Sequence, residues 1–114
     1  MISVSFDDWP YPTHIAHRGA GKLAPENTLA AIRLGASHAY SMFEFDVKLS
    51  GDGVLLLMHD ATLERTTDGC GRVAGHSFAQ IAQLDAGSWH SAAYAGESVP
   101  TLAQVARWLI ANRA

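Results

Sequence analysis

Tyr40–Asp60, YSMFEFDVKLSGDGVLLLMHD, is the stretch whose reading decides the fold. Its first half alternates: Phe43, Phe45 and Val47 point to one side of an extended chain, and Glu44, Asp46 and Lys48 to the other. Its second half, VLLLM, is a continuous apolar run ending in His59 and Asp60, the pattern of a strand covered on both faces. SGDG between them is a turn signal. A strand with one polar face, set among helical segments, implies a functional interior rather than a solvated surface.

Working toward the N-terminus, HIAH (14–17) reads as a short buried strand and RGAGKLAPEN as a glycine-rich loop. TLAAIRLGASHA reads as a helix with Leu29, Ile32 and Ala36 on one face. Toward the C-terminus, residues 61 to 100 lose regular patterning. TTDGCGRVAGHS suggests a glycine-rich excursion, and SFAQIAQLDA a short helix opened by a capping box of Ser77 and Gln80. This region reads as an insertion at the mouth of the fold. A second capping box, Thr101 with Gln104, opens TLAQVARWLIANRA, with Leu102, Val105, Ala106 and Leu109 as its apolar stripe and Trp108 off centre. Strands alternating with helices predict an α/β architecture with parallel pairing through crossovers, an α/β layer or barrel.

Composition narrows the function. Of 114 residues, 48% are apolar and 17% charged, an ordinary globular balance. A formal charge of -3 with eight scattered Lys and Arg offers no stripe for a nucleic-acid backbone. The N-terminal MISVSFDDWPYP has no leader pattern, and VLLLM is far below the roughly 20 residues of a bilayer span, so the expected location is cytoplasmic. The single Cys70, between glycines, reads as a loop residue.

The residues with chemistry fall at strand ends. His17, Arg18, His59 and Asp60 follow apolar segments, where parallel α/β folds place their active face. Glu44 and Asp46, about 6 to 7 Å apart along one strand face, can both reach one hard cation, and oxygen donors suit Mg²⁺ or Ca²⁺ rather than zinc. An imidazole moves protons near neutral pH, and Arg18 presents a planar fork to a phosphate. Together these predict phosphoryl chemistry. Arg65, in ERTTDG, reads either as an anion ligand or, preferably, as part of a polar turn. Trp89 and Tyr94 either line a substrate mouth or pack, while His14, His38, His76 and His90 show no partner pattern.

HRGAGKLAPENT, FEFDVKLSGDGVLLLMHD, LERTTDGCGRV, LDAGSW and VPTL, in this order, resemble the glycerophosphodiester phosphodiesterase family from about His14 onward. The resemblance implies a TIM barrel of the phospholipase C-like phosphodiesterase type with a small insertion, and hydrolysis of glycerophosphodiesters to sn-glycerol 3-phosphate and an alcohol. By position it implies His17 and His59 as general acid and base, in either order. It gives Arg18 the phosphate, Glu44 and Asp46 the divalent ion (Mg²⁺ or Ca²⁺), and Glu26, Asn27 and Asp60 supporting places. A barrel takes roughly 250 residues. The expectation is therefore that residues 1–114 form the N-terminal portion of one barrel domain, about three strands with the insertion, completed by further chain or by self-association. A third metal-binding glutamate is expected beyond residue 114. Two other readings stand beside the enzyme: a catalytically silent fragment that binds phosphate esters or a partner, and a phospholipase D-like lipid phosphodiesterase.

Overall fold

The computed structural model describes residues 16–19, 22–38 and 42–112. Of the features read from sequence, His14, the start of the first strand and the last two residues lie outside this set.

Strand β1 (Ala16–His17) pairs in parallel with β2 (Phe43–Glu44), placing Ala16 opposite Phe43 and His17 opposite Glu44. Helix α1 (Leu29–Ser37) connects them, the expected strand–helix–strand order. Thr28 caps α1, its Oγ1 accepting from the Ala31 amide at 3.1 Å. The Ala30 amide donates to Glu97 Oε1 at 3.0 Å, so a second helix-end donor is satisfied from 67 positions away.

The alternating segment is not one strand. It breaks at Phe45 and Asp46, and β3 (Val47–Leu49) continues in a different sheet, antiparallel to β4 (Leu55–Leu57). This corrects the expectation of parallel pairing throughout, which holds only for β1 and β2. The reason is the SGDG connection: a parallel crossover needs a dozen or more residues, whereas a hairpin needs only a few. The Ser50 hydroxyl accepts from the Val54 amide at 2.9 Å, and Gly53 adopts φ +83°, a conformation that favours glycine. The break also changes the faces. Val47, Leu49 and Leu55 are exposed, so Val47 does not share the packed surroundings of Phe43 and Phe45, with which the alternation grouped it.

Strand β4 divides two cores. Leu56 packs with Met58, Leu63, Val73, Ile81, Ala86 and Val99. Leu57, pointing the opposite way, packs with Ile32 and Val105, flanked by Leu29, Phe43, Phe45, Leu102, Trp108 and Leu109. The expectation of a strand covered on both faces holds for Leu56 and Leu57, both fully buried, and not for Leu55. At the other edge of β4, Leu56 bridges Thr101 and the Leu57 amide donates to the Pro100 carbonyl at 3.0 Å.

Residues 61 to 100 contain helix α2 (Phe78–Ile81) and single 3-10 turns at Val73–Gly75 and Ala92–Tyr94. The capping box of Ser77 and Gln80 is present. So is that of Thr101 and Gln104, which opens α3 (Leu102–Asn112). On α3, Val105 is buried and Trp108 joins the packing, but Ala106 is exposed, which moves the apolar stripe toward the tryptophan. Among the described residues no helix is long and apolar enough to cross a membrane.

Candidate active site

The site grows from the turn that follows β1. Arg18 and Asn27 both adopt left-handed backbone conformations, φ 52° and 58°, and the Asn27 amide closes the loop by donating to the Arg18 carbonyl at 2.8 Å. Asparagine tolerates this region and arginine seldom occupies it, so the loop holds Arg18 under strain. The buried Asn27 side chain then grips Asp46 from two sides. Its Nδ2 donates to Asp46 Oδ2, and its Oδ1 accepts from the Asp46 amide, both at 3.1 Å. The β2–β3 break is thereby pinned to the β1 loop.

Arg18 lies between two carboxylates. Its Nη1 donates to both Glu26 oxygens at 3.1 and 3.2 Å, and its Nε lies 3.6 Å from Asp46 Oδ2. That is too long for a hydrogen bond. Nε is buried and makes no hydrogen bond among the described residues, a rare condition for a native donor.

Arg65 completes the ionic chain. It donates from Nη1 and Nη2 to Glu26 at 2.9 and 2.8 Å, and from Nε and Nη2 to Asp60 at 2.8 and 2.9 Å. Asp60 Oδ1 is also 2.9 Å from Nδ1 of His59. Hydrogen bonds from Arg65, and next from His59, hold the Asp60 carboxyl far below the ordinary carboxylate range. Burial works to raise Glu26, but the hydrogen bonds and charges of Arg65 and Arg18 hold it below its ordinary 4.5. Asp60 and then Glu26 raise the Arg65 guanidinium in turn.

Of the residues singled out from sequence, Arg18, Glu26, Asn27, Asp46, His59 and Asp60 thus belong to one continuous polar network. His17 and Glu44 form a separate contact at the ends of β1 and β2, Nε2 to Oε2 at 3.6 Å, with both side chains largely exposed. Glu44 and Asp46 do not share partners: one faces His17, the other Arg18 and Asn27. Among the described residues no three His, Cys, Asp or Glu side chains converge as a metal cage. Glu44 and Asp46 nonetheless carry oxygen donors of the kind a hard divalent cation takes.

Sequence reasoning missed the bridging place of Arg65, which is an ion-pairing residue more than a polar turn. The signal was a basic residue five positions beyond Asp60, across one compact turn. It also missed the partners of His90, whose Nε2 is 2.8 Å from the Lys22 carbonyl and whose ring meets Trp89 and Tyr94 edge-on. That contact favours packing over a mouth-lining place for the two aromatic residues.

The sequence pattern of the glycerophosphoryl diester phosphodiesterase family matches residues 17–114. The chain belongs to this family. Human glycerophosphodiester phosphodiesterase 1 is 46% identical over 90 residues, covering 77% of this chain and 27% of the human protein. The structure of an Oleispira antarctica phosphodiesterase in complex with the product sn-glycerol-3-phosphate is 44% identical, with a TM-score of 0.86, over 89% of this chain and 41% of that one. A glycerophosphodiester phosphodiesterase from Agrobacterium tumefaciens aligns with a TM-score of 0.83 at 41% identity, over 88% of this chain and 43% of that one. The chain therefore spans less than half the length of each of these relatives. The solved relatives are TIM-barrel phosphodiesterases, and the elements described above match a part of that barrel.

Proposed function

We propose that this chain supplies the phosphate-holding and proton-handling residues of a phosphodiesterase that hydrolyses glycerophosphodiesters to sn-glycerol 3-phosphate and an alcohol. Its elements would form the opening portion of a TIM barrel, with residues 61 to 100 as the insertion. The observation that carries this reading is Arg18: a residue with a strained backbone beside His17, braced by Glu26, with a buried Nε–H that has no acceptor among the described residues. A phosphate oxygen is the acceptor such a donor fits. Family membership, and the product found in the Oleispira relative, support the same substrate class.

In this reading Arg18 binds and orients the phosphodiester. His17 and His59 hold and move protons, one withdrawing a proton from the attacking oxygen, that of water or of the neighbouring glycerol hydroxyl with water then opening the cyclic phosphate, and the other giving one to the departing alkoxide oxygen. Glu44 and Asp46 would hold a divalent cation, Mg²⁺ or Ca²⁺, with further donors beyond the described residues. When bound, the cation would neutralise charge gathering on the phosphoryl oxygens. Asn27 keeps Asp46 in place, and Glu26 does the same for Arg18.

The test is release of glycerol 3-phosphate from glycerophosphocholine with Mg²⁺ or Ca²⁺ supplied. Turnover removed by EDTA and by His17→Ala is the expected result; no release under either cation would sink the proposal for this chain. One observation favours a second reading, a silent phosphate-ester-binding domain: no three metal-ligating side chains converge among the described residues. Binding of glycerol 3-phosphate without turnover would establish it.

A further inference from the structure

Arg65 spends both edges of its guanidinium on two carboxylates from different loops. One pair of N–H groups holds Glu26, in the loop after β1, and another holds Asp60, in the loop after β4. Each of these carboxylates has one further cationic or imidazole partner. For Glu26 it is Arg18, and for Asp60 it is His59. The line Arg18–Glu26–Arg65–Asp60–His59 therefore joins the phosphate-holding side chain to one of the two imidazoles by contacts of 2.8 to 3.2 Å.

The chemistry of the line fixes a proton. An ionised carboxylate only accepts hydrogen bonds, so the 2.9 Å contact between Asp60 Oδ1 and His59 Nδ1 requires the proton on Nδ1. A neutral imidazole carries one ring proton, so Nε2 is then the lone-pair nitrogen. Among the described residues Nε2 has no hydrogen-bond partner and the side chain is 43% exposed, which leaves it open to a reacting group. Asp60 can rotate about its own bonds and adjoins His59 in sequence. Left alone it would not hold one orientation. The two-point grip of Arg65 fixes the carboxylate plane, and Glu26 fixes Arg65.

We propose that Arg65 is a positioning residue that sets the Nδ1–H tautomer of His59 through Asp60 and ties that imidazole to the seat of Arg18 through Glu26. The proposal deepens the phosphodiesterase reading and rests on it for its consequence in turnover. Its physical content, the tautomer, is independent of turnover.

The test records long-range proton–nitrogen NMR correlations of His59 at about pH 9, above the ordinary imidazole range near 6.5. His59→Gln provides the assignment. The expected spectrum of the unmodified chain shows His59 protonated at Nδ1. Arg65→Lys, which keeps the charge but loses the fork, shifts the ring toward a mixture with Nε2–H. The same variant lowers kcat for glycerol 3-phosphate release by between about tenfold and a hundredfold with a smaller change in KM, the scale of losing an outer-shell orienting partner. In Arg65→Ala, added guanidinium partly restores the Nδ1–H signal of His59 together with kcat, a readout that a merely structural role would not move.

An Nε2–H ring in the unmodified chain, or an unchanged tautomer in folded Arg65→Lys, overturns the proposal. An Nε2–H ring in the unmodified chain overturns it even if every variant fails to fold, and Arg65→Gln, which keeps part of the hydrogen bonding, replaces Arg65→Lys should that variant not fold. If the chain releases no glycerol 3-phosphate at all, the functional reading fails while the tautomer still answers for Arg65.

Discussion

Asn27 concentrates three tasks in one small residue. It takes a left-handed backbone conformation, closes the β1 loop onto Arg18 and grips Asp46 through two hydrogen bonds. Asn27→Ala leaves the Asp46 amide short of a partner and puts an alanine at positive φ. It should destabilise the chain by about 3 kcal/mol, seen as a lower midpoint in thermal unfolding. Asn27→Gly removes the same hydrogen bonds but relieves the backbone, and should recover about 1 kcal/mol of that loss. Equal midpoints for the two variants would show that the conformation carries no cost. Glu44 stands apart from this network, and among the described residues its ion-pair contact is with His17. Glu44→Gln should therefore weaken Mg²⁺ or Ca²⁺ binding in calorimetry while leaving the melting midpoint within about 0.5 kcal/mol of the parent, as for an exposed substitution. Undiminished affinity would remove Glu44 from the cation's donors.

Among the elements, those with local chemistry were legible beforehand. Both capping boxes formed as read because Ser77 with Gln80, and Thr101 with Gln104, satisfy helix ends without help from elsewhere. The strand–helix–strand start was legible for a similar reason. What was not legible was the break at Phe45–Asp46. Alternation continues unbroken in the sequence through that point, and only the pull of Asn27, 19 positions away, shows where the chain changes sheets. The Arg65 bridge stayed hidden because its two partners come from separate loops, one of them 39 positions upstream. Within residues 61–100, the tightest backbone approach is at Gly87, where an added Cβ would collide with the Tyr94 carbonyl oxygen. Backbone cannot yield as a flexible side chain does. Gly87→Ala should cost more than about 4 kcal/mol, and Ser77→Ala only about 1, in denaturant titration. A Gly87→Ala chain that unfolds at the parent's midpoint would contradict the packing described for residues 84–97.

At the scale of the whole molecule, two cores meet back to back at β4, and the ionic line through Arg65 ties the loops above them. Glu26 and Asp60 both titrate below their ordinary values of 4.5 and 3.8, and a carboxylate lowered by folding stabilises the fold in its charged form. That stabilisation is complete above the unfolded values and disappears as pH falls through the folded ones. The melting midpoint should thus hold steady from neutral pH to about pH 5 and decline progressively below it. Arg65→Leu should lower the plateau and flatten the decline, measured by circular dichroism across that range. An acid limb as steep in the variant as in the parent would assign acid sensitivity to other carboxylates.

The bond from the Ala30 amide to Glu97 has a consequence of a different kind. Its neighbour, the Ala31 amide, is bonded to Thr28 within the same helix end. One of these two hydrogens is shielded by local structure, the other by a segment that arrives from far along the chain. In hydrogen–deuterium exchange the Ala31 signal then times the fraying of α1, while the Ala30 signal times each detachment of the segment that carries Glu97. Two adjacent amides keep separate clocks, and the gap between their rates reports how firmly the Glu97 segment holds the start of α1.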